Sequence, residues 1–257
     1  MEIMPLSKLT DLSGKTAIVT GAVGIGYGIA YRLAEAGANV VIASLIESEA
    51  TDTVKKLTEK GWKAIAVQTN VSNEDSVKHM VKESVSHYGS VDILVNNAGI
   101  YPSKLVREMS LADFEKVIAV NLSGVFLCVK YTSEQMISQG KGGKIINITS
   151  IDALHPSSIG LAHYDASKHG VWGFTKNVAL ELAPHKIWIN AIAPGGITTP
   201  GVQQLLQSIP TKMVDMNQML ENFLAKIPMH RMGEPDEIGK VALFLASDMA
   251  STYFLRQ

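Results

Sequence analysis

The sequence is short of cysteine, of charge and of long apolar runs. Its single cysteine, Cys128, excludes an internal disulfide. It sits in the apolar run Val125–Val129 and reads as a buried structural thiol rather than a reactive one. Charged residues make up only 18% and balance to a formal net charge of −1, with no basic run, so no nucleic-acid or anionic-membrane surface is expected. No stretch approaches the roughly twenty apolar residues of a membrane span, and the N-terminal MEIMPLSKLTDLSG lacks the apolar core of a signal peptide, so a cytoplasmic location is expected. No metal-ligand spacing occurs around His163 and His169, which read as surface or supporting residues; no metal is expected. What remains is 257 residues, 46% of them hydrophobic, enough for a substantial core.

That apolar content is parcelled into short β-branched runs: Thr16–Thr20, Val40–Ala43, Ala64–Val67, Ile93–Val95, Lys144–Thr149 and Ile187–Ile192. Between them lie segments with helical spacing: Gly28–Ala36, Glu47–Lys60, Asp75–Tyr88, Ala112–Val120, Val125–Ile137 and Ala166–Leu182, the last closed by Pro184. Continuous apolar strands alternating with helices imply a parallel sheet covered on both faces, a doubly wound, Rossmann-like α/β fold. With no long polar linker or repeat, residues 1–257 read as one domain.

The first strand ends in TGAVGIGYG, with Gly21, Gly24, Gly26 and Gly28 opening into a helix through Ile25. Glycines permit a tight turn and close backbone approach, and a helix N-terminus presents N–H groups to an anion, so a dinucleotide pyrophosphate fits this turn; packing alone is the bland alternative. The second strand ends at Ser44, where a carboxylate commonly binds a ribose 2′-hydroxyl. Its absence admits a 2′-phosphate, yet no Lys or Arg occurs from Asn39 to Val54 while Glu47, Glu49 and Asp52 do, which favours NAD(H) over NADP(H).

A tyrosine followed four residues later by a lysine, Tyr164 and Lys168 in IGLAHYDASKHG, is by itself ambiguous. Tyr164 could be a half-buried packing residue, Ser150 a strand-end cap, and Asn121 a helix-end residue satisfying its own backbone. In order along the chain, however, come NNAG at Asn96–Gly99, Asn121, Ser150 in INITS, Tyr164 with Lys168, and Pro194–Gly195, each at a strand's carboxyl end or in the adjoining helix. This series resembles the short-chain dehydrogenase/reductase family from about Leu12 to Asp248.

The resemblance implies a catalytic tetrad of Asn121, Ser150, Tyr164 and Lys168. Interconverting a ketone and a secondary alcohol by hydride transfer requires a proton donor or acceptor, and the Lys168 ammonium one helical turn away is expected to lower the tyrosine pKa from near 10. Ser150 would steady the substrate oxygen, Lys168 would reach the nicotinamide ribose, and Asn121 would hold a water linking Lys168 to solvent. The resemblance also assigns Asn70 and Val71 to the adenine, Asn97, Ala98 and Gly99 to the cofactor floor, and Pro194, Gly195, Ile197 and Thr199 to the nicotinamide carboxamide. Residues 196–228, with Leu, Met and Val at irregular helical spacing over Pro200–Pro228, match a variable substrate lid, a helix of the fixed core being the other reading.

Three departures stand out. The family turn T-G-x-x-x-G-x-G is one residue short here, since only Ala22 and Val23 separate Gly21 from Gly24. Ser150 precedes Tyr164 by fourteen positions, one more than usual. The chain ends ASDMASTYFLRQ where a seventh strand is usual, so that strand is expected to be missing and the family's tetramer is in doubt, although a homo-oligomer is still expected. The function implied is oxidoreduction of a small-molecule substrate, a sugar or polyol first. A 3-oxoacyl-thioester reductase is the alternative within the enzymes, and a cofactor-binding sensor with little turnover the alternative outside them.

Overall fold

The structure is a computed structural model that describes residues 3–156, 158–201, 224–225 and 227–251. Among these, six strands form one parallel sheet in the order β3-β2-β1-β4-β5-β6: β1 (Thr16–Thr20), β2 (Asn39–Ser44), β3 (Ala64–Gln68), β4 (Ile93–Asn96), β5 (Gly143–Ile148) and β6 (Ile187–Ile192). The reversal of order between β1 and β4 opens a crevice at the carboxyl ends of the strands, where ligands of such sheets bind. The expected seventh-strand region, residues 252–257, lies outside the described residues.

The helices given by the described residues are α1 (Leu6–Leu9), α2 (Ile25–Glu35), α3 (Glu47–Thr58), α4 (Glu74–Tyr88), α5 (Leu111–Ile118), α6 (Gly124–Gln139), α7 (Ala162–Leu182) and α8 (Pro235–Ala246). Local signals account for their ends. Asn73 accepts a hydrogen bond from Ser76 N at the start of α4, and Gly89 ends that helix at φ 80°. Ser110 and Asp113 form a capping box on α5, as do Glu234 and Glu237 on α8, where Pro235 occupies the first turn. The sequence expectations missed α8, and started α7 at Ala166 rather than Ala162.

Successive strand residues point to opposite faces, dividing the core in two. Val19, Ile42, Val95 and Ile146 pack with Ile29 and Leu33 of α2 and Ala242 of α8; Ile18, Val41, Leu94 and Ile145 pack with Met80 of α4, Met136 of α6 and Val171 of α7. Each such aliphatic side chain contributes about 1.5–3 kcal/mol when fully buried. Gly28, although part of the glycine series, serves packing: added side-chain carbons at Gly28 and Gly239 would run into the Pro235 and Gly28 carbonyls, so α2 and α8 touch backbone to backbone. Arg32 clamps the same contact with a two-pronged bond to Asp236. Cys128 is buried as expected, and burial pushes its thiol up to about 12, out of the reactive range.

Candidate active site

The glycine turn is assembled from backbone. Gly21 takes φ 84° and donates to the Ala43 carbonyl at 2.7 Å, joining the turn to β2. A side-chain carbon at Gly26 would overlap the Gly21 carbonyl, and one at Gly24 would press Thr199 at 3.1 Å. Gly24 precedes α2 at φ 58°, ψ −122°, and no side chain caps the helix; Gly26 N donates to the Val23 carbonyl at 3.1 Å, and the helix start turns its remaining N–H groups toward an anion. The turn closes tightly despite its missing residue: Ala22 is buried, and the buried Thr53 of α3 donates to its carbonyl at 2.9 Å. These features fit a dinucleotide pyrophosphate.

Around it, the residues assigned to the adenosine and the cofactor floor divide into two kinds. Ser44 is buried at the end of β2, its Oγ accepting from Ile46 N at 3.4 Å. Asn70 folds its own turn, accepting from Ser72 N at 3.0 Å and Ser72 Oγ at 2.7 Å, and Val71 packs against Gly124. The Asn97 and Ala98 amides both donate to Thr20 Oγ1 at 3.0 Å, and Asn97 Nδ2 donates to the Thr20 carbonyl at 2.9 Å, fixing the NNAG segment to β1. Gly99 leaves room for two of the expected catalytic residues: a side-chain carbon there would stand 3.3 Å from Asn121 Oδ1 and 3.6 Å from Lys168 Nζ.

The four residues of the expected tetrad converge at this point. Asn121 lies in a π-turn, Ala119–Ser123, between α5 and α6, and is fully buried. Its amide is spent on structure: Oδ1 accepts from Ile100 N at 2.8 Å, and Nδ2 donates to the Ile100 carbonyl at 2.8 Å and to Ser167 Oγ at 3.1 Å. The residue therefore locks α7 to the segment after β4. Lys168 Nζ donates to the Ile148 carbonyl at 2.8 Å and lies 5.6 Å from the centroid of the Tyr164 ring. Burial alone draws its ammonium down to about 8.

The expectation that Lys168 lowers the tyrosine pKa is not met. Burial pushes the half-buried Tyr164 phenol up to about 12; a hydrogen bond with Ser150 offsets part of this, while the Asp152 carboxylate, Tyr101 and Asp165 add to it. The reason is positional, because the ammonium is held on the Ile148 carbonyl rather than on the phenol oxygen. Tyr101 closes the wall, its ring edge-on to Tyr164 with centroids 6.0 Å apart. Ser150 is buried at the end of β5 and starts a short helical turn, Ile151–Ala153; its Oγ accepts from Asp152 N at 3.1 Å and donates to Asp152 Oδ2 at 2.9 Å. The extra residue between Ser150 and Tyr164 thus falls in the connection between β5 and α7.

On the far side, the buried Pro194 accepts from Ile151 N at 2.9 Å, Gly195 is exposed, and the buried Ile197 bridges to Gly233. Thr199 stands over Gly24 across the turn. The expected lid lies mostly outside the described residues. Of the flanking histidines, His169 is exposed as expected, its Nδ1 2.7 Å from the Ala153 carbonyl, whereas His163 is fully buried with both ring nitrogens lacking a partner. Sequence reasoning missed Asp152 and Tyr101, and the only signal for Asp152 was its place two residues after Ser150.

The model of a family described as enoyl-(acyl carrier protein) reductase matches residues 21–253. A 3-oxoacyl-[acyl-carrier-protein] reductase from Synechocystis sp. is 42% identical over 97% of this chain and 96% of its own length. The short chain dehydrogenase/reductase astE of Aspergillus oryzae is 40% identical over 94% of this chain and 91% of its own. Among solved structures, a short-chain type dehydrogenase/reductase from Mycobacterium marinum superposes with a TM-score of 0.88 at 35% identity, covering 96% of this chain and 94% of that one.

Proposed function

The chain belongs to the short-chain dehydrogenase/reductase family of oxidoreductases, and on that premise we propose that it reduces a ketone to a secondary alcohol with NADH or NADPH, Tyr164 supplying the proton. The observation that carries the reading is the convergence of Asn121, Ser150, Tyr164 and Lys168 at the carboxyl ends of β4 and β5, beside Gly99 and the glycine turn; the Tyr164 phenol, pushed up to about 12 by burial, holds the proton that a reduction consumes. Gly21, Gly24 and Gly26 would hold the pyrophosphate of a reduced nicotinamide dinucleotide, with Gly99 and Thr199 lining the same crevice, and that group would supply the hydride. Ser150 orients the carbonyl oxygen beside Tyr164, and Tyr164 protonates it as alkoxide character develops. Lys168, beneath Gly99, offers its ammonium to the cofactor ribose and balances the charge that Tyr164 acquires on giving up its proton.

For the substrate, a 3-oxoacyl thioester has the better support, since relatives 42% and 39% identical, from Synechocystis sp. and Aquifex aeolicus, are named 3-oxoacyl-[acyl-carrier-protein] reductases. The sugar or polyol reading keeps one specific observation in its favour: the Asp152 carboxylate stands close enough to Tyr164 to raise its pKa, and would accept hydrogen bonds from substrate hydroxyls. Between the cofactors, Glu47 and Glu49 after Ser44 favour NADH; Lys56 of α3, which lines the pocket beside Gly24, is placed over the Tyr27 ring. A homo-oligomer in the cytoplasm completes the reading; among the described residues no helix is long and apolar enough to cross a membrane.

The test is a panel of a 3-oxoacyl thioester, ketoses and simple ketones, each with NADH and with NADPH, following cofactor oxidation. Preferential reduction of the thioester supports the first substrate reading, and preferential reduction of a ketose the second. Tight binding of both dinucleotides without any oxidation sinks the enzyme reading and leaves a cofactor-binding protein.

A further inference from the structure

Tyr101 lies outside the four-residue tetrad, yet it is fixed between that tetrad and the far side of the crevice. The segment that carries it follows β4 and is held at both ends. One residue before it, Ile100 N donates to Asn121 Oδ1 and the Ile100 carbonyl accepts from Asn121 Nδ2, each at 2.8 Å. Three residues after it, Lys104 N donates to the Gly160 carbonyl at 2.9 Å and Lys104 Nζ to Asp113 Oδ2 at 2.6 Å. Between these ties the Tyr101 ring stands edge-on to the Tyr164 ring, at 71° with centroids 6.0 Å apart. Its phenol tip meets backbone: a side-chain carbon at Gly201 would overlap Tyr101 Oη. Two residues before Gly201, Thr199 stands over Gly24. One wall therefore runs from the glycine turn through Thr199 and Gly201 to Tyr101, and ends on Tyr164.

We propose that Tyr101 is a specificity-determining residue for the reduction proposed above: its ring closes the crevice beside Tyr164 and limits the substituent a ketone can carry there, so that short ketones are taken before long ones. A carbonyl oxygen that receives the Tyr164 proton must come within about 2.6–3.2 Å of the phenol oxygen, and the groups flanking that carbonyl then reach the neighbouring ring. Tyr101 is that ring. A tyrosine has only two side-chain torsions, so a ring stopped at its tip by the Gly201 backbone and on one side by Tyr164 has little room to swing away. The bonds of Ile100 and Lys104 keep the backbone from following it. A residue that only packed against Tyr164 would act on every ketone alike, whereas a wall acts according to substrate length.

The inference rests on the reductase reading, and its test separates the two. Tyr101→Ala removes the ring, while Tyr101→Phe keeps it and removes only the hydroxyl. Each protein is given a short and a long member of the ketone class that the wild type reduces best. These are the 3-oxobutanoyl and 3-oxooctanoyl thioesters of N-acetylcysteamine, dihydroxyacetone and fructose, or butanone and methyl hexyl ketone. The quantity read is the ratio of kcat/KM for the long substrate to that for the short one. Tyr101→Ala is expected to raise this ratio at least about 10-fold, and Tyr101→Phe to leave it within about twofold of wild type. A smaller rise in Tyr101→Ala, an equal loss on both substrates, or a Tyr101→Phe protein that behaves like Tyr101→Ala overturns the proposal. Absence of turnover in the wild type overturns the reductase reading instead. The two thioesters are then titrated by calorimetry into the proteins saturated with NADH or NADPH, and the ratio of their Kd values, held to the same limits, decides the role of Tyr101.

Discussion

At the carboxyl end of β1 the chain offers almost nothing but backbone: Gly21, Gly24 and Gly26 bring carbonyls and amides within reach of one another, and Thr53 pins the Ala22 carbonyl from α3. At the carboxyl end of β5 it offers side chains, with Ser150, Asp152, Tyr164 and Lys168 held by burial and by hydrogen bonds of 2.8 to 2.9 Å. The two regions tolerate error differently. In the first, an added methyl group is the damaging change; in the second, methyl groups matter less than the location of a single proton or charge.

The sharpest way to break the comparison is Tyr164→Phe. If one proton governs the β5 end, this variant loses about 10³-fold in turnover, roughly 4 kcal/mol, while binding NADH or NADPH like the wild type, as read by fluorescence titration. The matching change at the β1 end is Gly26→Ala, which drives a methyl group into the Gly21 carbonyl. Cofactor Kd is expected to rise at least about 10-fold and stability to fall by about 1–3 kcal/mol in urea, with the tyrosine titration untouched. Were Gly26→Ala to shift that titration, the two regions would not be the separate devices described here.

Between these strong effects lies a weaker electrostatic one. Lys168 has a folded pKa of about 8, below its ordinary 10.5, so its contribution to stability is present above 10.5 and is lost as pH falls toward 8. Tyr164 opposes it only above pH 10, because its raised pKa adds stability that is lost as pH climbs toward 12. Wild-type stability should therefore gain between about pH 8 and 10 relative to Lys168→Met, measured by chemical denaturation at each pH. The smallest effect is expected far from both regions, at the partly exposed Arg32–Asp236 pair: Asp236→Ala should cost no more than about 1 kcal/mol and leave kcat unchanged.

The same contrast explains what could be read from the sequence. Strands such as Thr16–Thr20 and Ile187–Ile192 were legible to the residue, because a buried parallel strand is an unbroken apolar run between turn residues. The glycine turn was legible because glycine spacing encodes backbone shape directly. The role of Gly28 was not, since its demand comes from Pro235 and Gly239, more than two hundred residues away. Helix α8 was missed although Glu234, Pro235 and Glu237 carry its start signal. At the catalytic end the residue types were legible, but not the state of Tyr164. Its spacing from Lys168 suggested a lowered pKa, whereas burial and the neighbouring Asp152 set it in the opposite direction, and neither is visible in a four-residue interval.

The central claim is that Tyr164 keeps its proton at neutral pH and gives it to a ketone. The most direct test is the pH dependence of the single-turnover reduction of the best ketone substrate by wild-type protein saturated with reduced cofactor. A rate that is level through neutrality and falls only above about pH 8, where Lys168 and then Tyr164 lose their protons, is the predicted result. A rate that rises with pH through neutrality would contradict it, because it would require Tyr164 or its partner to act as a base already ionised there.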